Sequence, residues 1–162
     1  MGTRKKIMPQ RHISFDLTRL FTEGDMPAVG ERWEDPTTGN EYIFLKGVAS
    51  TVAGDPVIFN AAGETTRLAG SGVGAVAIAM AAIVADTWGW YQIYGSGSAK
   101  VVATGGVRVY GSTVTGQLTA TVVTGALIHG LYTASGDGNT VTGSLTAVEL
   151  SYPHVDRASG SY

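Results

Sequence analysis

The chain contains no cysteine, which excludes disulfides and thiolate metal sites. Charge is scarce too: Asp, Glu, Lys and Arg make up 15% of the residues, and the formal net charge is −2. This balance gives no electrostatic reason to bind nucleic acid or an anionic membrane. Long apolar runs are also missing, since the longest, Ala75 to Ala85, is about half of the roughly 20 residues that a spanning helix needs. We therefore expect neither nucleic acid nor a membrane as a partner.

Patterns typical of catalysis and cofactor binding are also missing. No Gly-x-Ser-x-Gly motif occurs, and the glycines from Gly70 to Gly74 lack the Lys-Ser/Thr ending of a phosphate-binding loop. The three histidines, His12, His129 and His154, stand far apart in the sequence, so a metal site would have to assemble through the fold. We interpret His129, in an apolar strand, as satisfied by hydrogen bonds in the core or in a subunit contact. We predict no enzyme, no cofactor and no metal.

Glycine is abundant instead. The chain has 23 glycines in 162 residues, about twice the average usage of roughly 7%. Many threonines, valines and alanines accompany them. This mixture is typical of short strands joined by tight turns.

The first half of the chain predicts two hairpins. Residues 35–40 have turn chemistry, with Trp33 on one limb and residues 42–45 on the other. Residues 57–59 and 65–68 repeat this arrangement around a second turn, and we interpret the whole as a β-meander. Residues 75–83 favour a buried strand, with a helix as the alternative because of their alanines.

The run from Trp88 to Tyr94 is the strongest strand signal, bounded by residues 86–87 and 95–97. In extended geometry Trp88, Trp90 and Tyr94 share one face, and Tyr91 and Ile93 share the other. A strand with large apolar groups on both faces lies between two layers or against another chain. We expect Tyr91 and Ile93 in the barrel core, and the opposite face beneath the apolar 75–85 segment or against a neighbouring subunit. Further strands are predicted at 100–103, 107–110, 126–132 and 144–152, the last ended by Pro153.

Charged residues concentrate in the N-terminal part. Between Leu68 and Val148 the charged side chains are only Asp86, Lys100, Arg108 and Asp137. We predict an all-β protein, a small glycine-rich β-barrel or jelly-roll-like sandwich with an extended N-terminal arm and a short C-terminal tail. Its expected parts are residues 1–40, an arm and first hairpin limb ordered by a partner; residues 41–154, the body; and residues 155–162, a flexible tail.

Two short segments carry a family resemblance. Residues 89–95, Gly-Trp-Tyr-Gln-Ile-Tyr-Gly, preceded by 79–82, and the closing 148–154, Val-Glu-Leu-Ser-Tyr-Pro-His, resemble the capsid decoration (cement) proteins of tailed bacteriophages. The similarity covers roughly residues 57–154. It implies a non-enzymatic virion protein on the outer surface of the head, made in the host cytoplasm, which clamps neighbouring major capsid subunits as a homo-oligomer, a trimer in preference to a dimer.

The candidate contact residues are aromatic side chains and the basic residues of the arm. For contact with the capsid or with other subunits they are Trp33, Trp88, Trp90, Tyr94, Tyr152, Arg4, Lys5, Lys6 and Arg11. An alternative is a tail- or fibre-associated β domain that binds host surface glycans, because exposed Trp and Tyr rings would stack on sugars.

Overall fold

The computed structural model describes residues 16–24, 26–102, 108–134 and 145–156, and these contain β-strands and no helix. The strands are β1 (Arg32–Glu34), β2 (Glu41–Lys46), β3 (Pro56–Phe59), β4 (Thr65–Arg67), β5 (Gly74–Ala79), β6 (Trp88–Val102), β7 (Arg108–Gly111), β8 (Leu118–Thr119), β9 (Leu127–Thr133) and β10 (Leu145–Val155). The predicted all-β class is confirmed.

The later strands close into a six-stranded barrel. Going around it, the order is β6, β8, β7, β9, β10 and β5, and a pairing between β5 and β6 closes the ring. Strands β1 and β2 extend the sheet from one edge of β6, and β3 and β4 extend it from β5. Every barrel strand contributes to one apolar cluster, which fills the interior with residues such as Ile78, Val101, Leu118, Leu131 and Val148.

Strand β6 is longer than the sequence predicts. Residues 95–97 were expected to end it, but it runs on for 15 residues to Val102. Gly95 has φ of 92° and lies next to a register shift in the pairing with β2, so glycine absorbs an irregularity within the strand and does not end it. Beyond Gly95 the strand keeps its hydrogen bonds through β10. The prediction that residues 95–97 end the strand was wrong.

The two predicted hairpins are confirmed, but the meander is wrong. Strands β1 and β2 pair antiparallel, and so do β3 and β4. Strand β2 then pairs with β6, and β3 pairs with β5, so successive hairpins do not lie side by side. Turn residues specify only the local pairing, and the long-range order depends on which apolar faces meet.

The segment at 75–83 is a strand over Gly74–Ala79. Val76 and Ile78 face the barrel interior, whereas Ala77 and Ala79 pack in a second cluster with Tyr91 of β6 and with residues of β2 and β3. An alternation of large and small residues therefore serves two cores, one on each side. This arrangement excludes the helical alternative.

Strand β10 continues through Pro153 to Val155, so the predicted end at this proline was wrong. The pairing with β9 is irregular between Leu150 and His154, and Tyr152 has φ of 47°. Proline lacks an N–H and is tolerated at a bulge, where no ladder hydrogen bond is required of it. Strand β8 was not predicted, because two residues carry too little pattern.

Candidate functional site

Trp90 lies at the centre of a third apolar cluster and is 1% exposed. Its ring is 5.2 Å from that of Phe44, whose other neighbour is Phe21 at 5.3 Å. The cover over this face comes chiefly from the segment before β1, and the 75–85 run contributes only Met80 among the described residues. Trp90 is therefore buried within its own chain, and its prediction as a contact residue was wrong.

The other face of β6 is buried as predicted, although in a different place. Tyr91 and Ile93 pack in the second cluster, between β2, β3 and β5, and not in the barrel interior. The sequence therefore identified a strand covered on both sides. It did not identify the covering elements, which come from distant parts of the chain.

Trp33 and Trp88 are half-buried at the margin of the third cluster. Trp33 stacks on Tyr42 with ring centroids 5.7 Å apart. Lys46 places its Nζ 5.9 Å from the ring of Trp88, and the backbone of Trp88 exchanges two hydrogen bonds of 2.9 Å with Phe21. Both rings retain some exposed surface, although each already has a partner within the chain.

Tyr94 and Tyr152 form an exposed pair of tyrosine rings on the surface. Their side chains are 39% and 45% exposed, and their ring centroids are 5.3 Å apart. The Tyr152 hydroxyl donates a hydrogen bond of 2.6 Å to Oε1 of Glu41, and the Arg32 guanidinium carbon lies 5.8 Å from the Tyr152 ring. We call these four residues, Tyr94, Tyr152, Glu41 and Arg32, the tyrosine patch.

Three strands bring the tyrosine patch together. Tyr94 is paired with Glu41 of β2 on one side and with Ser151 of β10 on the other. The positive φ of Tyr152 falls within the β10 irregularity, and such bulges redirect a side chain relative to a regular strand. Residues separated by more than a hundred positions in the sequence thus share one surface.

The electrostatics of the tyrosine patch are set by Glu41. Its hydrogen bond raises the pKa of Tyr152, with smaller contributions from desolvation and from the carboxylate charge, while the Arg32 charge opposes the shift. Among the described residues Arg32 makes no ion pair. The patch therefore offers two ring faces, an available cation and a carboxylate, and Tyr and Arg are enriched among residues that dominate protein interfaces.

Two loops at one end of the barrel are uncharged. Loops 112–117 and 120–126 contain no charged residue, and they expose Val114 and Val122 at 54% and 71%. An open cavity of about 570 Å³ lies between these loops and residues 69–73. Interface cores are depleted in charged residues, so this end has the composition of a contact surface.

Asp55 is a buried charge that the sequence analysis missed. Its side chain is fully buried, and it forms ion pairs with Arg67 at 2.9 Å and Lys100 at 2.8 Å. It also accepts a hydrogen bond of 3.1 Å from the Val52 backbone N–H. These contacts join β3, β4 and β6, so this cluster serves the fold. In the sequence, Gly54-Asp55-Pro56 looks like an ordinary turn.

Of the two places predicted for His129, the core was wrong, and a subunit contact stays a prediction. His129 lies in β9 as a strand residue, but its side chain is 47% exposed and is not in the core. It faces His154 of β10, with the two imidazole rings stacked at 5.2 Å. Strand pairing thus unites two histidines that are 25 positions apart in the sequence.

The glycine run at 70–74 leads directly into β5, so the helix N-terminus that a dinucleotide site requires is absent there. The part of the chain that the structure describes contains no helix that is long and apolar enough to cross a membrane. The basic candidates Arg4, Lys5, Lys6 and Arg11 lie outside the described residues.

Comparison of the chain with protein-family models, curated proteins and solved structures gives no match.

Proposed function

We propose that this protein is a non-enzymatic virion component that decorates a bacteriophage head, on its outer surface, and stabilises it by clamping neighbouring major capsid subunits. The single observation that carries the proposal is the tyrosine patch on a rigid barrel: a solvent-exposed aromatic pair with an available arginine. Such a surface is suited to a protein contact.

The two uncharged loops support a second part of the proposal, which is self-association. We propose a homo-oligomer, a trimer in preference to a dimer. A stable interface buries about 800 Å² on each partner. Loops 112–117 and 120–126, with the 69–73 segment beside them, offer an uncharged surface for contact with identical copies. An oligomer that grips several capsid subunits gains avidity, so each individual contact can be modest.

The proposal is tested by co-sedimentation with purified expanded capsids that have unoccupied decoration positions. We expect saturable binding, with a fixed number of copies per major capsid subunit. Binding that does not saturate, or no binding at all, would contradict the proposal. The same experiment at raised temperature asks whether bound protein delays rupture of the shell, as a stabilising role requires.

The tyrosine patch also favours a second candidate function, the binding of host surface glycans by a tail- or fibre-associated domain. Tyr94 and Tyr152 could stack on sugar rings while Glu41 and Arg32 bind hydroxyl groups. This alternative expects binding to host cells or oligosaccharide arrays, and loss of that binding in a folded Tyr152→Ala variant. It also expects no saturable binding to capsids.

A further inference from the structure

A small cavity opens beside the tyrosine patch, at the point where three strands diverge. Strand β10 pairs with β6 as far as Ser151, and from His154 onward it pairs with β5 instead. Strand β5 rejoins β6 further along, at Ile78 and Ala79. The gap between the three strands has a volume of about 100 Å³. We call it the side cavity.

The floor of the side cavity is apolar. It is lined by Phe59, Ala75, Val76, Ile93 and Pro153. Val76 and Ile93 are 1% and 2% exposed and belong to two different apolar clusters, so a group bound here lies against the packed core. An apolar cavity of about 150 Å³ holds a benzene ring. The smaller side cavity therefore suits a branched aliphatic side chain, such as that of valine or leucine.

The rim of the side cavity is polar and includes a cation. It is bordered by Arg32, Tyr152 and His154. The Tyr152 hydroxyl donates its hydrogen bond to Glu41, and the carboxylate of Asp156 lies against His154, with 3.6 Å between Oδ1 and Nε2. Arg32 is exposed and forms no ion pair with a described residue. Its guanidinium is therefore available to a carboxylate from another molecule.

From these contacts we propose that the side cavity takes a branched aliphatic side chain of a partner protein, and that Arg32 pairs with a carboxylate in the same short segment. The apolar floor disfavours a charged or polar group, because it offers no hydrogen bond in return. The identity of the partner, a major capsid subunit, rests on the proposed decoration function. The chemistry of the cavity does not, and it adds selectivity for one kind of segment to the broad contact of the tyrosine rings.

Each half of this contact is weak when it acts alone. An exposed ion pair contributes little, and a single aliphatic group buries a small area. A small free ligand should therefore bind with roughly millimolar affinity. On a protein surface the same two contacts act together with the tyrosine patch, so their effects on affinity combine.

The first test titrates the free protein with 4-methylpentanoate, a branched aliphatic carboxylate, and follows the methyl NMR signals of Val76 and Ile93. We expect saturable shifts of both signals. The uncharged 4-methylpentanamide keeps the alkyl group, and it should bind about two- to fivefold more weakly, as the loss of an exposed ion pair predicts. Acetate lacks the alkyl group and should leave both signals unmoved.

Two variants separate the floor of the cavity from its rim. Ala75→Leu fills the cavity and should abolish binding of the acid and of the amide. Arg32→Gln should reduce binding of the acid to the level of the amide and leave the amide unaffected. The matched controls are Ala62→Leu, at an exposed alanine in a turn, and Arg19→Gln, at an exposed arginine that lies 4.7 Å from the ring of Phe21. Both controls should bind the acid like the unchanged protein.

The same variants are then compared in co-sedimentation with expanded capsids. Ala75→Leu should lose about fivefold or more in affinity, the level that marks a contributing interface residue, and Arg32→Gln about two- to fivefold. Three results would overturn the inference: no binding of the acid at millimolar concentrations, equal binding of the acid and the amide, or unchanged binding of either the acid or the capsid by Ala75→Leu. If the unchanged protein did not sediment with capsids, the proposed function would fail, and the ligand titration would still decide the chemistry of the side cavity.

Discussion

At the scale of single residues, exposure decides what each aromatic side chain does. Trp90 and Tyr94 belong to the same strand and were predicted on the same face, yet the first is buried and the second is 39% exposed. Leu17, Phe21 and Met26 pack in the cluster that covers Trp90, whereas the ring of Tyr94 lies against the exposed ring of Tyr152. The former therefore stabilises the fold, and the latter is available for contacts.

Replacing Trp90 with alanine should lower the free energy of unfolding by about 3–5 kcal/mol, because a large buried ring is removed and a cavity remains. Urea unfolding monitored by circular dichroism measures the change. Tyr132→Ala, which truncates an aromatic ring that is 45% exposed, serves as the control and should stay within about 0.5 kcal/mol. A loss below roughly 1 kcal/mol for Trp90 would mean that its ring is not packed as described.

Tyr91 should make stability depend on alkaline pH. Burial raises its pKa to about 12, and the Thr65 side chain opposes this shift only in part; in an unfolded chain the pKa is about 10. The folded state thus holds the proton more tightly, so this contribution is fully present below about pH 10 and is lost as pH rises through about 12.

The measurement for Tyr91 compares urea midpoints across this range for the unchanged protein and Tyr91→Phe. The variant should lose less stability on alkalinisation, since one buried titrating hydroxyl is gone. That hydroxyl also has no hydrogen-bond partner of good geometry among the described residues, so its removal should cost little at neutral pH. Identical alkaline losses in both proteins would contradict the assignment.

At the scale of elements, irregular strands position the surface groups. Gly130 of β9 has φ of 73°, and a Cβ placed there would overlap the Ser151 carbonyl oxygen of β10. This close approach lies within the pairing irregularity that carries both Tyr152 and the histidine pair. Glycine at this position therefore allows the two strands to pair as they do.

Gly130→Ala should destabilise the protein by more than the roughly 1–2 kcal/mol that a left-handed conformation costs an L-residue. Gly39 provides a matched control, because its φ is 72° and no atom lies within 4 Å of the added Cβ. Gly39→Ala thus carries the conformational cost without the overlap. Thermal unfolding measures the loss of stability in both variants, and the difference between the two losses is the cost of the overlap. Equal losses of stability would show that β9 and β10 do not approach so closely.

The sequence predicted most strands but fewer of their ends and neighbours. Both early hairpins follow from turn chemistry at 35–40 and 60–64, which acts locally. The continuation of β6 past Gly95 and of β10 past Pro153 depends on bulges, whose cause is the pairing partner and not the local residues. The closure of the barrel between β5 and β6 has no local signal.

The candidate site, like the fold, was predicted from the sequence only in part. Tyr94 and Tyr152 were selected as aromatic residues in strands, and strand pairing brings them together. Arg32 and Glu41 were not selected, because a charged residue next to a turn normally faces solvent. Their contacts arise from the β1–β2 hairpin lying beside β6, which a single sequence does not specify.

At the scale of the whole molecule, loops 112–117 and 120–126 contain no charged residue, and they expose Val114 and Val122. If this end of the barrel packs against identical copies, a carboxylate there is repeated across the symmetry axis, and like charges brought together in an interface cost several kcal/mol. Val114→Asp/Val122→Asp should therefore shift the protein toward monomer in sedimentation velocity. Val84→Asp, at an exposed valine outside these loops, should leave association unchanged. If the double variant and Val84→Asp associated to the same extent, these loops would not form the contact between subunits.

The most direct test of the central claim compares capsid binding by tyrosine variants. Tyr94→Ala/Tyr152→Ala removes both rings of the tyrosine patch, whereas Tyr132→Ala removes an equally exposed ring on β9. Since a few central aromatic residues supply most of the energy in protein contacts, we expect the double variant to stay folded and to lose at least about tenfold in affinity for expanded capsids in a co-sedimentation titration. Tyr132→Ala should bind like the unchanged protein. Equal binding by all three proteins would contradict the account.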